Sequence, residues 1–174
     1  MVSVITTSYN AEKFIRQTIQ SVLRQNYENL EHIIVDDGSS DKTVEMIKSF
    51  NDSRIIFIEA GRVGRGKALN IAIKASRGDY IAIQDADDLS HPERLLTGVK
   101  YLAERNDISL LGTDQIMFSN NESIAWNKIA PVETLDKALI DVTDSLAYYN
   151  PISHTSVIMR RELIEKIGGY DEKR

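Results

Sequence analysis

The sequence predicts an α/β fold with a mostly parallel central sheet and helices on both faces. Three observations predict it. Short apolar runs alternate with segments of helical period along most of the chain. Those runs are nearly continuous in apolar residues, as strands covered on both faces are. The chain has 174 residues, 42% of them hydrophobic and 27% charged, which suits one core and a single domain, 1–174.

The elements follow in order. Residues 2–7 form a short β-rich run, and residues 11–25 carry Phe14, Ile15, Ile19, Val22 and Leu23 at helical spacing. Residues 32–36 read as a second strand. Residues 41–50 read as a helix, with Ser39, Ser40 or Asp41 available as N-cap and Val44 and Ile47 on its buried face. Residues 55–59 are a third strand, 67–76 a helix by the stripe Ala68, Leu69, Ala72 and Ile73, and 80–84 a fourth strand. Pro92 starts a helix continued by Leu95, Leu96, Val99 and Leu102, and residues 108–112 are a fifth strand. Up to about Arg105 this is a Rossmann-like unit. Beyond it, residues 115–126 are expected as antiparallel strands, 135–146 as a helix and 155–159 as a strand. Residues 162–167 are a short helix stopped by Gly168-Gly169.

Composition excludes several function classes. The net charge of −5 repels phosphate backbones, so no nucleic-acid partner is expected. With no cysteine there is no disulfide scaffold, thiolate zinc site or cysteine nucleophile. No apolar run approaches the roughly 18 residues of a membrane span. The N-terminus passes directly into VSVITT with no signal peptide, so the expected location is cytoplasmic. Peripheral association with the inner face of the membrane, through other segments, stays open.

The polar residues collect where the strands should end, which is where open α/β sheets bind ligands. Thr7-Ser8-Tyr9-Asn10 follows the first strand, Asp36-Asp37-Gly38-Ser39-Ser40 the second and Gln84-Asp85-Ala86-Asp87-Asp88 the fourth. Asp85 and Asp87 form a D-x-D, whose two carboxylates fall on one side of an extended backbone. Hard divalent cations take such oxygens and fill their remaining positions with water and substrate phosphates. Three acids within four residues would also repel one another without a cation. The plainer reading, preferred for Asp88, is a cap on the helix that Pro92 starts. Asp37 stands at a turn marked by Gly38. It can accept a hydrogen bond from a base N–H or a ribose hydroxyl, or act as an Asx-turn. Tyr9 can stack on a nucleobase or simply pack.

Residues 61–68, GRVGRGKA, match G-x-x-x-x-G-K after a strand, but Ala68 stands where a P-loop needs a Ser or Thr hydroxyl. The glycines and three cations still suit a diphosphate neighbour; the alternative is a mobile basic loop. His154 and Trp126 are single signals, and such residues are more often structural than ligand-binding.

Taken together, VSVITTSYNAEKFIRQTIQSVLRQ, HIIVDDGSSDKT, GKALNIAIKASRGDYIAIQDADD with Pro92-Glu93-Arg94-Leu95, and NPISHTSVIMRRELIEKIGGYDE resemble the inverting family-2 glycosyltransferases of GT-A fold. The resemblance runs from residue 2 to about residue 172. It implies that Thr7 meets the nucleotide base, that Tyr9 stacks on it and that Asp37 holds it, commonly as uracil. It places Lys67 or Arg65 near the diphosphate, Asp85 near the ribose and Asp87 on a Mn2+ or Mg2+ ion. The implied reaction moves a sugar from a nucleotide donor, UDP-linked by this resemblance, to the hydroxyl of a saccharide or lipid-linked acceptor in envelope polysaccharide synthesis. It is one in-line displacement, in which a carboxylate removes the acceptor proton and the metal stabilises the leaving diphosphate.

One departure bears on the catalytic group. In the family the general base lies downstream of the GGYDE-like segment, and this chain stops at Arg174. The base is therefore expected downstream of residue 174, because Asp171 and Glu172 match a structural acidic pair. The expectation is a nucleotide-sugar-binding half, 1–105, and an incomplete acceptor-side half, 106–174. The alternative function is a nucleotide-sugar-binding module without transfer activity. A P-loop NTPase is disfavoured by Ala68. A phosphoacceptor domain is disfavoured because Asp36-Asp37 follows the second strand rather than the first.

Overall fold

A computed structural model describes residues 1–117 and 141–173. Its elements are β1 (Val2–Ser8), α1 (Ile15–Leu23), β2 (Leu30–Asp36), α2 (Thr43–Lys48), β3 (Ile55–Glu59), α3 (Arg65–Ala75), β4 (Tyr80–Ile83), α4 (Arg94–Glu104), β5 (Leu110–Leu111), β6 (Ile158–Arg160) and α5 (Arg161–Ile167). Six strands form one sheet in the order β3-β2-β1-β4-β6-β5. The first four are parallel, and β6 runs antiparallel to both β4 and β5. The mixed α/β class and the mostly parallel sheet match the expectation. Among the described residues no helix is long and apolar enough to cross a membrane.

Every residue of β2 is buried, and of β1 all but Thr7 are. Successive side chains serve opposite faces of such a strand. Ile33 packs with Ile5, Ile83 and the α3 residues Ala68, Leu69 and Ala72 on one face. Ile34 packs with Ile15, Ile19 and Ile47, from α1 and α2, on the other. A third cluster joins Val2, Val4 and Ala82 to Val22, Leu95 and Leu102 of α1 and α4. The result is three layers, with α3 and α5 opposite α1, α2 and α4.

Two polar residues interrupt the apolar run of β2, and both are paired. Glu31 accepts hydrogen bonds from Ser3 Oγ at 2.6 Å and from Arg77 N and Nε at 2.6 and 2.9 Å. His32 is fully buried, with Nε2 at 2.9 Å from the Thr6 hydroxyl and Nδ1 without a partner. Burial holds its ring far below its ordinary pKa, at about 3.

Element ends shift where side chains intervene. The second helix starts at Thr43 rather than 41, because Asp41 Oδ1 accepts from the Thr43 backbone and hydroxyl at 2.9 and 2.5 Å. The strand expected at 155–159 is a 3-10 turn, His154–Ser156, followed by β6 at Ile158–Arg160. Of the helix expected over 135–146, the described part holds a 3-10 turn at Asp144–Ala147. Residues 118–126 and 135–140 of the two expected segments, Trp126 among them, lie outside the described residues. Gly168 ends α5 in the left-handed region at φ 84°, with Gly169 N donating back to Ile164 O at 3.1 Å.

Candidate functional site

The connections from β1 lead outward through β2 to β3, then return across the sheet through α3 to β4 on the other side of β1. The strand order therefore reverses between β1 and β4, and a crevice opens there at their carboxyl ends. A cleft of about 370 Å3 occupies that position. Thr7, Ser8, Tyr9, Asn10, Ala11 and Phe14 line it from β1 and the turn after it. Asp37 lines it from β2, Arg65 from α3, and Asp85, Ala86 and Asp87 from the loop after β4. The fold thus gathers Thr7, Tyr9, Asp37, Asp85 and Asp87 in one cleft, and leaves Lys67 exposed and off its wall.

At one end, Tyr9 and Asp37 share a neighbour that sequence reading missed. The guanidinium of Arg62 lies over the Tyr9 ring, its carbon 3.6 Å from the centroid. It also donates to Asp37 Oδ2 at 3.0 Å. Asp37 Oδ1 accepts from the backbone of Val63 at 2.6 Å and Gly64 at 2.8 Å. The carboxylate therefore anchors the loop before α3. Each oxygen of a carboxylate can accept two hydrogen bonds, so Oδ2 keeps one acceptor site for a ligand. Gly38 makes the close approach possible: at its φ of 76°, an added Cβ would stand 3.0 Å from Arg62 N. Asp36 is structural, accepting from Ser8 Oγ at 3.0 Å, Ser39 Oγ at 2.5 Å and Ser39 N at 2.8 Å.

The acidic loop rests on a buried arginine. Arg94 Nη1 donates to Gln84 Oε1 at 3.0 Å and Ser90 Oγ at 2.9 Å, and Nη2 to Ile83 O at 2.7 Å and Val157 O at 3.2 Å. Burial lowers its pKa to about 10, with Asp88 and Asp85 opposing, so it remains charged at neutral pH beneath the acids. Burial raises the Asp88 carboxyl above its ordinary value; the Thr155 hydroxyl opposes this, and Asp87 and Asp85 add to it. Asp87 is exposed in the cleft. A divalent cation that shares substrate phosphates needs only one or two protein carboxylates, so Asp87 with Asp85 fits such an ion. Among the described residues no three His, Asp or Glu side chains gather into a closed metal cage.

The cation in the cleft is Arg65. Its Nη2 donates to Asp85 Oδ1 at 2.6 Å. The helix expected from residue 67 starts two residues earlier, at Arg65, and of the two cations the resemblance offers, Lys67 and Arg65, it is Arg65 that lines the cleft. Ala68 is fully buried in the core, so the P-loop-like string serves packing at the position where a P-loop needs a hydroxyl. His154, read from sequence as structural, reaches the same arginine: its Nδ1 is 3.2 Å from Arg65 Nη2, and its Nε2 is 2.9 Å from the Tyr170 hydroxyl. The segment bearing Tyr170 is clamped to α3 by Asn70, which donates to Tyr170 O at 2.9 Å and accepts from Tyr170 N at 2.8 Å. Gly66 permits this docking, because a Cβ there would run into the carbonyl oxygen of Asp171.

Comparisons with known proteins bear on the fold and the family. The family model described as Glycosyl transferase family 2 matches residues 3–168. An uncharacterized glycosyltransferase of Haemophilus influenzae is 33% identical over 166 residues, covering 92% of this chain and 51% of that protein. The Escherichia coli UDP-Glc:alpha-D-GlcNAc-diphosphoundecaprenol beta-1,3-glucosyltransferase WfgD is 37% identical over 132 residues, covering 75% of this chain and 51% of that protein. Among solved structures, the mannosyltransferase PcManGT of Pyrobaculum calidifontis, in complex with GDP-Man and Mn2+, superposes with a TM-score of 0.72. It is 26% identical, over 98% of this chain and 47% of that one. The chain thus spans about half the length of these similar proteins.

Proposed function

The chain belongs to glycosyl transferase family 2, and on that premise we propose that its cleft takes the nucleotide of a sugar donor, UDP-linked in the first instance, for metal-dependent, inverting transfer to an acceptor hydroxyl. The observation that carries this reading is the convergence of Thr7, Tyr9, Asp37, Asp85 and Asp87, from the ends of three strands, on one cleft at the switch point. Tyr9, 48% exposed, offers its ring to a base. Thr7 borders that base, and the remaining acceptor site of Asp37 takes a base N–H. Asp85 faces the ribose, and Arg65, in place of Lys67, faces the diphosphate. Asp87 would hold Mn2+ or Mg2+, which supplies Lewis-acid stabilisation of the leaving diphosphate.

In this reading residues 1–105 form the nucleotide-sugar half and residues 106–174 belong to the acceptor side. A saccharide or lipid-linked acceptor is supported by the diphosphoundecaprenol in the name of the E. coli relative, and in this reading such an acceptor is met at the inner face of the membrane.

A thermal-shift panel of UDP, GDP, dTDP and CDP, with and without Mn2+, tests the reading and identifies the base. A nucleotide at 100 times its dissociation constant should stabilise the protein by roughly 2.7 kcal/mol. No shift with any of the four in the presence of Mn2+ would reject nucleotide binding at this cleft. For the nucleotide that binds, Tyr9→Ala should weaken affinity by about 1–3 kcal/mol, the worth of one stacked base. Calorimetry showing wild-type affinity in that variant would move the base away from Tyr9.

A further inference from the structure

Four side chains from four parts of the chain meet at the edge of the cleft. Arg65 opens α3, Asp85 follows β4, His154 lies in the 3-10 turn before β6, and Tyr170 follows α5. Arg65 Nη2 reaches both Asp85 Oδ1 at 2.6 Å and His154 Nδ1 at 3.2 Å. A guanidinium can only donate, so Nδ1 accepts and the ring proton sits on Nε2. From there it donates to the Tyr170 hydroxyl at 2.9 Å. The two rings also pack edge to face, with centroids 5.5 Å apart. Tyr170 is itself held through its backbone by Asn70 of α3. The hydrogen-bonded chain therefore leaves α3 at Asn70 and returns to α3 at the Arg65 guanidinium, the cation that stands in the cleft.

We propose that His154 is a positioning residue for Arg65: its Nδ1 lone pair holds the guanidinium at the diphosphate end of the cleft, with Tyr170 fixing the ring. The proposal rests on the nucleotide-sugar reading of that cleft. Asp85 alone would tether a long, half-exposed side chain at one point. When a ribose hydroxyl or a cation engages Asp85, the contact to His154 is the one that stays. The surroundings favour the accepting, uncharged ring: burial lowers the His154 pKa and Arg65 lowers it further, against Asp85. Burial pushes the Tyr170 hydroxyl up to about 12, so it stays protonated.

The test compares UDP with UMP in the presence of Mn2+, by titration calorimetry on the full 174-residue chain; GDP and GMP take their place if the panel selects guanosine. His154→Ala is expected to lower diphosphate affinity roughly tenfold, the effect of one charge-assisted hydrogen bond, and to leave monophosphate affinity within about twofold. His154→Asn places an amide oxygen near the Nδ1 position and should recover most of the loss. His154→Gln places its amide at the Nε2 end and should not. A melting temperature recorded for each variant separates loss of folding from loss of the contact. An unchanged ratio of diphosphate to monophosphate affinity in His154→Ala, or equal recovery by Asn and Gln, overturns the positioning role while leaving nucleotide binding intact. Failure of the wild-type chain to bind any nucleoside diphosphate overturns the functional reading itself, and the positioning role with it.

Discussion

Acidification below pH 6.5 is expected to destabilise this protein steeply, and His32→Gln to remove most of that slope. The folded-state pKa of His32 is depressed from 6.5 to about 3 by complete burial. A base whose folded pKa lies below its unfolded value contributes stability that is fully present above the unfolded pKa, here 6.5. That stability is lost as pH falls toward the folded value. Each unit corresponds to about 1.4 kcal/mol, so roughly 2–3 kcal/mol disappears between pH 6.5 and 4.5, and on the order of 5 kcal/mol by pH 3. His154, whose pKa is also lowered, contributes with the same sign. The glutamine variant isolates His32, because its amide can meet the Thr6 hydroxyl that the ring Nε2 meets now. Chemical denaturation at several pH values measures this. Parallel stability curves for wild type and His32→Gln from pH 6.5 to 4.5 would show that His32 titrates normally and is accessible in the folded state.

Loss of the metal-dependent part of nucleotide binding is the expected result of Asp87→Ala. Asp87 is the exposed carboxylate of the acidic loop, and Asp85 is already engaged by Arg65. A hard cation bridging protein and diphosphate through one or two carboxylates loses its principal protein ligand in that variant. Wild-type UDP affinity should fall by about a hundredfold, or 2.7 kcal/mol, on chelation with EDTA, and the variant should start at the lower value and not respond to EDTA. Wild-type binding that is the same with and without EDTA would remove the cation from the mechanism. An EDTA response retained in Asp87→Ala would assign the ligand to Asp85 or Asp88. Arg94 beneath the loop provides a check on folding, since its bonds to Ile83 O, Gln84 Oε1 and Val157 O do not involve Asp87.

The departures from sequence expectation have particular physical causes. Arg65 and Lys67 are two residues apart, about 200° around a helix of 3.6 residues per turn. Which of them faces the cleft therefore depends on where α3 begins. Gly64, at φ 89°, starts it at Arg65, and of the two cations it is Arg65 that lines the cleft. Arg62 reaches Tyr9 and Asp37 only because the loop of residues 61–64 folds back on the turn after β2. His154 reads as one isolated histidine in the sequence. It enters the site because β6 pairs antiparallel with β4, which carries the preceding turn to Asp85. Arg94 gives no signal of burial in the sequence, since arginine is rarely buried and the acceptors that hold it are backbone carbonyls, a glutamine and a serine.

What the amino-acid sequence determined by itself was most of the features with a local period or a local end signal, the strand expected at 155–159 being an exception. The four parallel strands and the helices between them are visible in apolar spacing. The polar clusters at Thr7, Tyr9, Asp37, Asp85 and Asp87 are visible because they interrupt that spacing at strand ends. The tertiary structure alone decided which cation enters the cleft, that His154 and Tyr170 brace it, that Asp37 anchors a loop as well as facing the cleft, and that a charged arginine supports the acids. Those facts depend on contacts between residues 20 to 100 positions apart. Such contacts are set by helix phase and strand order, which the spacing of residues along the chain does not record.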